Sequence, residues 1–305
     1  MMDGDDLQKI QHTLYYLSFN DSLEKDLTDI LQHHLDFDIV DLSHTIGPTT
    51  IRLPFYPPYN FTVIKKYFDE NLNIWIEENW FGMAEHTNTH VDAPAHMFRG
   101  RPFMNEVPLE KMVGPGVIID VTEKVAVNFG YGVMVDDLLN WEAQFGKIPD
   151  CAVVIMNSGW YKKYPDPELV FGSENWTNMQ THRFPSWTID AVEWLLSNRH
   201  VLAVGVDSPS VDLRGLGALP VHKRLFRDSI IALEGVANLD AIPPCKSTIF
   251  IPPLKLYKGS GAPARIFATV LKMKHDGHNQ VKNAPSDVNP KFHNTRIEAE
   301  FYEHK

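Results

Sequence analysis

The sequence predicts a mixed α/β core in a single large domain. Short β-branched runs such as "GVIIDV" (116–121), "AVVIM" (152–156) and "VLAVGV" (201–206) read as strands buried on both faces. Helical periodicity is confined to a few segments interleaved with more numerous strands, which favours a mixed sheet over a doubly wound one. The chain has 305 residues, 44% hydrophobic and 22% charged, so it can bury a core without a disulfide or metal to hold it.

Residues 1–36 form an accessory segment. Within it Ser22 is placed to cap a helix carrying Leu23, Leu27, Ile30 and Leu31 on one face. The body, 37–273, carries predicted strands at 37–42, 61–67, 73–80, 116–121, 152–157, 201–206, 229–233, 248–251 and 266–272. A helix follows Thr188, its N-cap, with Ala191, Val192, Leu195 and Leu196 as the apolar stripe. A shorter helix covers about 134–144. Residues 274–305 are a polar tail in which His275 and His278 make an H-x-x-H pair, read as solvated surface. There is no solenoid repeat and no low-complexity tract.

Charge and cysteine usage narrow the function. A net charge of −11 with no basic stripe argues against a nucleic-acid partner. No apolar run is long enough to span a bilayer, and the N-terminus lacks an apolar signal core. Cys151 and Cys245 are too few for a disulfide framework, so a reduced, cytoplasmic setting is the default. Sequons at Asn20, Asn60 and Asn175 leave secretion open.

The chemistry lies in "EHTNTHVDAPAH", 85–96. On a helix, His86 and His90 would share a face but Asp92 would point away, and Pro94 would break the helix. In an extended segment His86, Asn88, His90 and Asp92 alternate onto one face. Pro94 then turns the chain and returns His96 toward the same place. Two imidazoles and a carboxylate suit a borderline metal with open positions, such as zinc or manganese. A metal can bring the pKa of water from about 15.7 to about 7, and a nearby histidine can shuttle the proton.

This pattern, His86-x-x-x-His90-x-Asp92-x-Pro94-x-His96, resembles the metal-dependent cyclase family, which contains bacterial-type kynurenine formamidases and isatin hydrolases. The family's form is H-x-G-T-H-x-D-x-P-x-H. Thr89 matches, whereas Asn88 stands in place of the glycine, and either alters the backbone turn or puts an amide into the pocket. The resemblance runs over about 37–273, through "IVDLSHTI", "GVDSPSV", "ALPVHKRLFRDSIIALEGVANLD" and "GSGAPARIFA". It implies a cyclase-like swivelling β/β/α fold and places His222 and Glu234, twelve apart, as a second ligand pair.

By the same carry-over His86 and His90 hold one metal and His222 a second. Asp92 and Glu234 are shared between them, and His96 is the general base and acid. Two zinc ions per subunit are implied, with manganese an alternative. Glu234 also closes the apolar run "SIIAL", and a carboxylate there is costly unless paired or metal-bound.

The expected activity is hydrolysis of a small amide by metal-activated water, on an aryl formamide such as N-formylkynurenine. The alternatives are an isatin-type lactam hydrolase with a single manganese, or a non-catalytic binding relative. Formamidase-like relatives carry an aromatic residue before Pro-Gly-Asp. Here Leu53 takes that position, and Phe55 and Tyr56 follow as the wall for an aryl substrate. Relatives are homo-oligomers, commonly dimers, and the same is expected here. Asp207 and Ser208, ending "VLAVGV", either support the ligands or cap a turn. Gly259–Ala262 is glycine-rich but lacks the phosphate-loop pattern, and the resemblance places it near the active site. No G-x-S-x-G or H-E-x-x-H occurs, which removes the serine hydrolase and zincin readings.

Overall fold

Short buried strands need partners on both sides, and the chain supplies them in one nine-stranded mixed sheet. The computed structural model describes residues 37–213 and 218–271. The helix expected on Leu23–Leu31 and the tail bearing His275 and His278 lie outside them.

In chain order come β1 (Phe37–Asp41), a hairpin of β2 (Asn60–Asp69) and β3 (Ile74–Gly82), β4 (His90–Asp92) and β5 (Val113–Asp120). Then follow α1 (Thr122–Val127), β6 (Gly132–Val133), α2 (Val135–Phe145), β7 (Ala152–Asn157), α3 (Pro167–Phe171), β8 (Ser186–Trp187), α4 (Ile189–Asn198) and β9 (Val201–Val206). The series closes with α5 (Pro220–Arg227), β10 (Ile231–Glu234), β11 (Ser247–Phe250), β12 (Gly261–Pro263) and β13 (Phe267–Leu271). The sheet order is β1-β13-β11-β5-β7-β9-β10-β4-β12. Strands β5, β7, β9 and β10 are parallel, and antiparallel strands extend the block on either side.

Every residue of β7 and β9 is buried. Alternation divides their side chains between two cores. Val154, Met156, Val204 and Val206 pack with Trp141 of α2, Leu195 of α4 and Phe226 of α5. Val153, Ile155 and Ala203 pack on the opposite side with Val91, Ile249 and Leu233. Each large aliphatic chain so buried contributes about 1.5–3 kcal/mol. Thr188 caps α4 as expected, its hydroxyl accepting the Ala191 N–H at 3.2 Å.

Two expected strand starts shift. The strand expected at 229–233 begins two residues later, because Ser229 (φ +59°) takes the left-handed turn that ends α5. The expected 116–121 strand starts instead at Val113, where β11 pairs with it. Strands β2 and β3 fall at the expected 61–67 and 73–80; among the described residues their ribbon joins no other strand and exposes Phe61, Ile64, Phe68, Trp75 and Trp80. Among the described residues no helix is long and apolar enough to cross a membrane.

Candidate metal centre

Backbone pairing brings the site together. His90 of β4 lies directly opposite Glu234 of β10, so the two side chains share a sheet face. Asp92 is on that same face, and Val91 between them points into the core. Gly261 of β12 pairs with Asp92, and a Cβ there would come within 2.5 Å of the His86 ring. The 3₁₀ turn Pro94–His96, with the proline at its start, carries His96 back over the site. Helix α5 supplies His222 from its first turn.

The extended reading of 86–92 is corrected here. The strand begins only at His90, and Asn88 adopts φ +55°. Side-chain alternation therefore does not bring in His86; a left-handed turn does. Glycine is at ease in that conformation, and asparagine is among the few other residues that tolerate it, which accounts for the residue found here. The Asn88 side-chain amide donates to the Thr45 carbonyl at 2.9 Å, while the Asn88 main-chain carbonyl accepts from His90 Nδ1 at 3.0 Å.

The two carboxylates stand between the imidazoles. Asp92 Oδ1 is 2.6 Å from His86 Nδ1 and 3.2 Å from His90 Nε2, and Oδ2 is 3.2 Å from His222 Nε2. Glu234 Oε1 is 3.1 Å from His222 Nε2, and Oε2 is 3.4 Å from His90 Nε2. Two overlapping ligand sets result, His86–His90–Asp92 and Asp92–His222–Glu234, the ligand atoms of each lying within 4.8 Å of one another.

The donor set fits a cation. His90 Nδ1 donates to a carbonyl, so in the neutral ring Nε2 carries a lone pair. That nitrogen is buried without a hydrogen-bond partner and faces two carboxylates. Lone pair against carboxylate is unfavourable unless a proton or a metal lies between them. The protonation states agree. Burial alone would lower His90, yet the Asp92 charge raises it to about 10. Burial would raise the Asp92 carboxyl, but the charges of His86 and His90 hold it well below the usual range. Burial and the Asp92 charge push Glu234 up, and the His222 and His90 rings beside it, when charged, override them and bring it to about 2. The pocket is built for positive charge.

Orienting groups surround it. Asp212 Oδ2 accepts from His222 Nδ1 at 2.6 Å and from the His222 N–H at 3.1 Å, while Oδ1 takes the Val221 N–H at 2.8 Å. Ser260 Oγ is 2.8 Å from His86 Nε2 and donates to Glu85 Oε2 at 2.6 Å. Sequence reasoning missed Asp212, Glu85 and the role of Ser260. They carry no spacing signal, since Asp212 precedes His222 by ten residues and Ser260 follows His86 by 174. Asp207 and Ser208 turn out to hold loops. Asp207 accepts the Ser158 and Trp160 N–H groups at 3.1 and 2.8 Å, and the Ser208 hydroxyl donates to the Pro185 carbonyl at 2.7 Å. The Gly259–Ala262 loop lies against the site.

His96 stacks on His86 with ring centroids 3.9 Å apart, and burial pushes its pKa down to about 4, so it is neutral near pH 7. Among the described residues no hydrogen bond engages its ring nitrogens. His86, His90, Asp92, His96, His222 and Glu234 face a cavity of ≈230 Å³, whose wall includes Leu53, Phe55 and Tyr56.

The family model described as "Putative cyclase" matches residues 40–213. Isatin hydrolase of Roseibium aggregatum is 29% identical over 253 residues, covering 78% of this chain and 93% of that protein. Kynurenine formamidase of Salinibacter ruber is 27% identical over 246 residues, covering 74% and 95%. Among solved structures, isatin hydrolase A from Ralstonia solanacearum superposes with a TM-score of 0.71 at 30% identity, over 81% of this chain and 96% of that one. With its mixed sheet and site residues, the chain belongs to the cyclase family.

Proposed function

We propose that this protein is a metal-dependent hydrolase that cleaves the C–N bond of a small aryl amide. The observation that carries this is the buried Nε2 of His90, unpartnered and facing the Asp92 and Glu234 carboxylates. His86, His90, Asp92, His222 and Glu234 would hold one or two divalent ions, zinc or manganese. Such an ion supplies Lewis-acid polarisation of a carbonyl and a lowered pKa for water. His96, neutral and unbonded, takes the proton from the attacking water and returns it to the departing nitrogen. Leu53, Phe55 and Tyr56 pack the aryl group.

The first substrate class is an aryl formamide such as N-formylkynurenine. A lactam such as isatin is the second, favoured by the isatin hydrolases that are 29% and 30% identical. The test assays N-formylkynurenine, isatin and simple aryl amides with metal content measured in parallel. Hydrolysis of at least one, lost on chelation and restored by zinc or manganese, is expected. A protein with its full metal complement that cleaves none of them would sink the proposal.

A second copy of the chain is proposed to cover the apolar β2–β3 ribbon, since a lone two-stranded ribbon is marginal in water. Light scattering on the full chain, showing a dimer that Trp75→Glu dissociates, would support this, and a monomer would contradict it.

A further inference from the structure

Tyr164 lines the same cavity as the ligand cluster, yet among the described residues no hydrogen bond engages its hydroxyl. Its ring is held on two sides. The preceding turn is pinned by Asp207, which accepts the Trp160 N–H at 2.8 Å, and the Tyr164 N–H itself bonds the Tyr161 carbonyl at 3.2 Å. The phenol lies flat on His44, with centroids 4.0 Å apart and planes 13° from parallel. The His44 N–H is fixed by Thr89 Oγ1 at 2.9 Å, and that hydroxyl donates to the Gly235 carbonyl at 2.6 Å.

The hydroxyl lies at the metal-binding wall. A Cβ on Gly235, the residue after Glu234, would stand 3.2 Å from the Tyr164 oxygen, and Gly235 adopts φ +62°. Glycine there is required first by the Asn88 carbonyl, 2.5 Å from the same Cβ position, and the phenol oxygen sits just beyond it. Burial first, then the charges of Asp207 and Glu234, raise the phenol's pKa, so the group stays protonated and is a donor. A half-buried donor that faces a cavity finds its acceptor there when the surrounding side chains offer none. With none among the described residues, the acceptor comes from whatever fills the cavity.

We propose that Tyr164 donates its phenolic hydrogen to the carbonyl oxygen of the bound amide, where negative charge develops as water attacks. This rests on the amide-hydrolase reading above. Tyr164 would then be a catalytic residue of the oxyanion-stabilising kind, on a rigid support, and no metal need be displaced for it to act.

The test is Tyr164→Phe in the full chain, which keeps the ring and its stack. Tyr161→Phe serves as control, because it removes a phenol from the same loop that bonds Asp240 instead. Metal content and melting temperature should match the wild type in both. Tyr164→Phe should lower kcat by about 10²–10³-fold with KM nearly unchanged, as for loss of one oxyanion donor. Unchanged kcat, or a loss confined to KM, overturns the assignment. If Tyr164→Phe did not fold, the wild type would still decide the matter through a substrate series. Exchanging the reacting carbonyl oxygen for sulfur, a weak acceptor, should cost the wild type far more than it costs His44→Ala, whose phenol has lost its support. Equal costs overturn the assignment. Wild type that carries metal but cleaves no amide would overturn the hydrolase reading itself, whereas active wild type beside equally active Tyr164→Phe overturns this inference alone.

Discussion

Asp212→Asn isolates what orients His222. The substitution changes one oxygen to an amide nitrogen in a side chain that is 1% exposed. Asp212 accepts three hydrogen bonds, Val221 N–H on Oδ1 and both His222 N–H and Nδ1 on Oδ2. The bond at Nδ1 places the ring proton there and leaves Nε2, which faces Asp92 and Glu234, with its lone pair. An asparagine cannot reproduce this. With its nitrogen at the Oδ2 place, it opposes the His222 N–H and, by donating to Nδ1, drives the ring proton to Nε2. With the amide flipped, it opposes the Val221 N–H. Either arrangement leaves a buried donor against a donor, at about 1–3 kcal/mol. On metal affinity the loss is about 10–100-fold, or about 1.4–2.8 kcal/mol at 1.4 kcal/mol per tenfold. The assay is the zinc Kd by chelator competition, with circular dichroism confirming the fold. A folded variant binding within about twofold of wild type would refute the reasoning.

His96→Ala should lower kcat by about 10²–10⁴-fold with metal retained; co-loss of metal would make His96 a ligand. Asn88→Ala should cost about 1–2 kcal/mol for its left-handed backbone and about 1 kcal/mol for the lost bond to Thr45, whereas Asn88→Gly loses only the bond. Equal shifts in melting temperature for the two would refute the turn explanation. In metal-free protein the raised His90 contributes stability that is full below the ordinary imidazole pKa and lost as pH rises through about 10. The melting temperature of chelated protein should therefore fall between pH 7 and 10. Metal uptake at pH 7.5 should also release protons to an indicator dye, and uptake without release would contradict the protonated imidazoles.

Strands β7 and β9 were legible residue for residue, because a run buried on both faces is apolar throughout. Helix α4 was legible from its stripe and its Thr188 cap. The β2–β3 ribbon was legible as strands but not as a separate exposed sheet, since its apolar residues look the same whether a core or solvent receives them. Helix α5 escaped notice because a run dense in Lys and Arg hides the burial of His222 and Leu225.

The local cluster His86, His90, Asp92 and His96 was determined by the sequence alone, through ligand types at short spacing and a proline that forces a turn. Its joining to His222 and Glu234 was expected only from resemblance. Tertiary structure decides it, because Asp92 and His222 meet across 130 positions through the pairing of β4 with β10 and the docking of α5. The same holds for Asp212 behind His222 and for His44 beneath Tyr164. Such contacts depend on which face each element buries, and sequence spacing encodes only neighbours on one element.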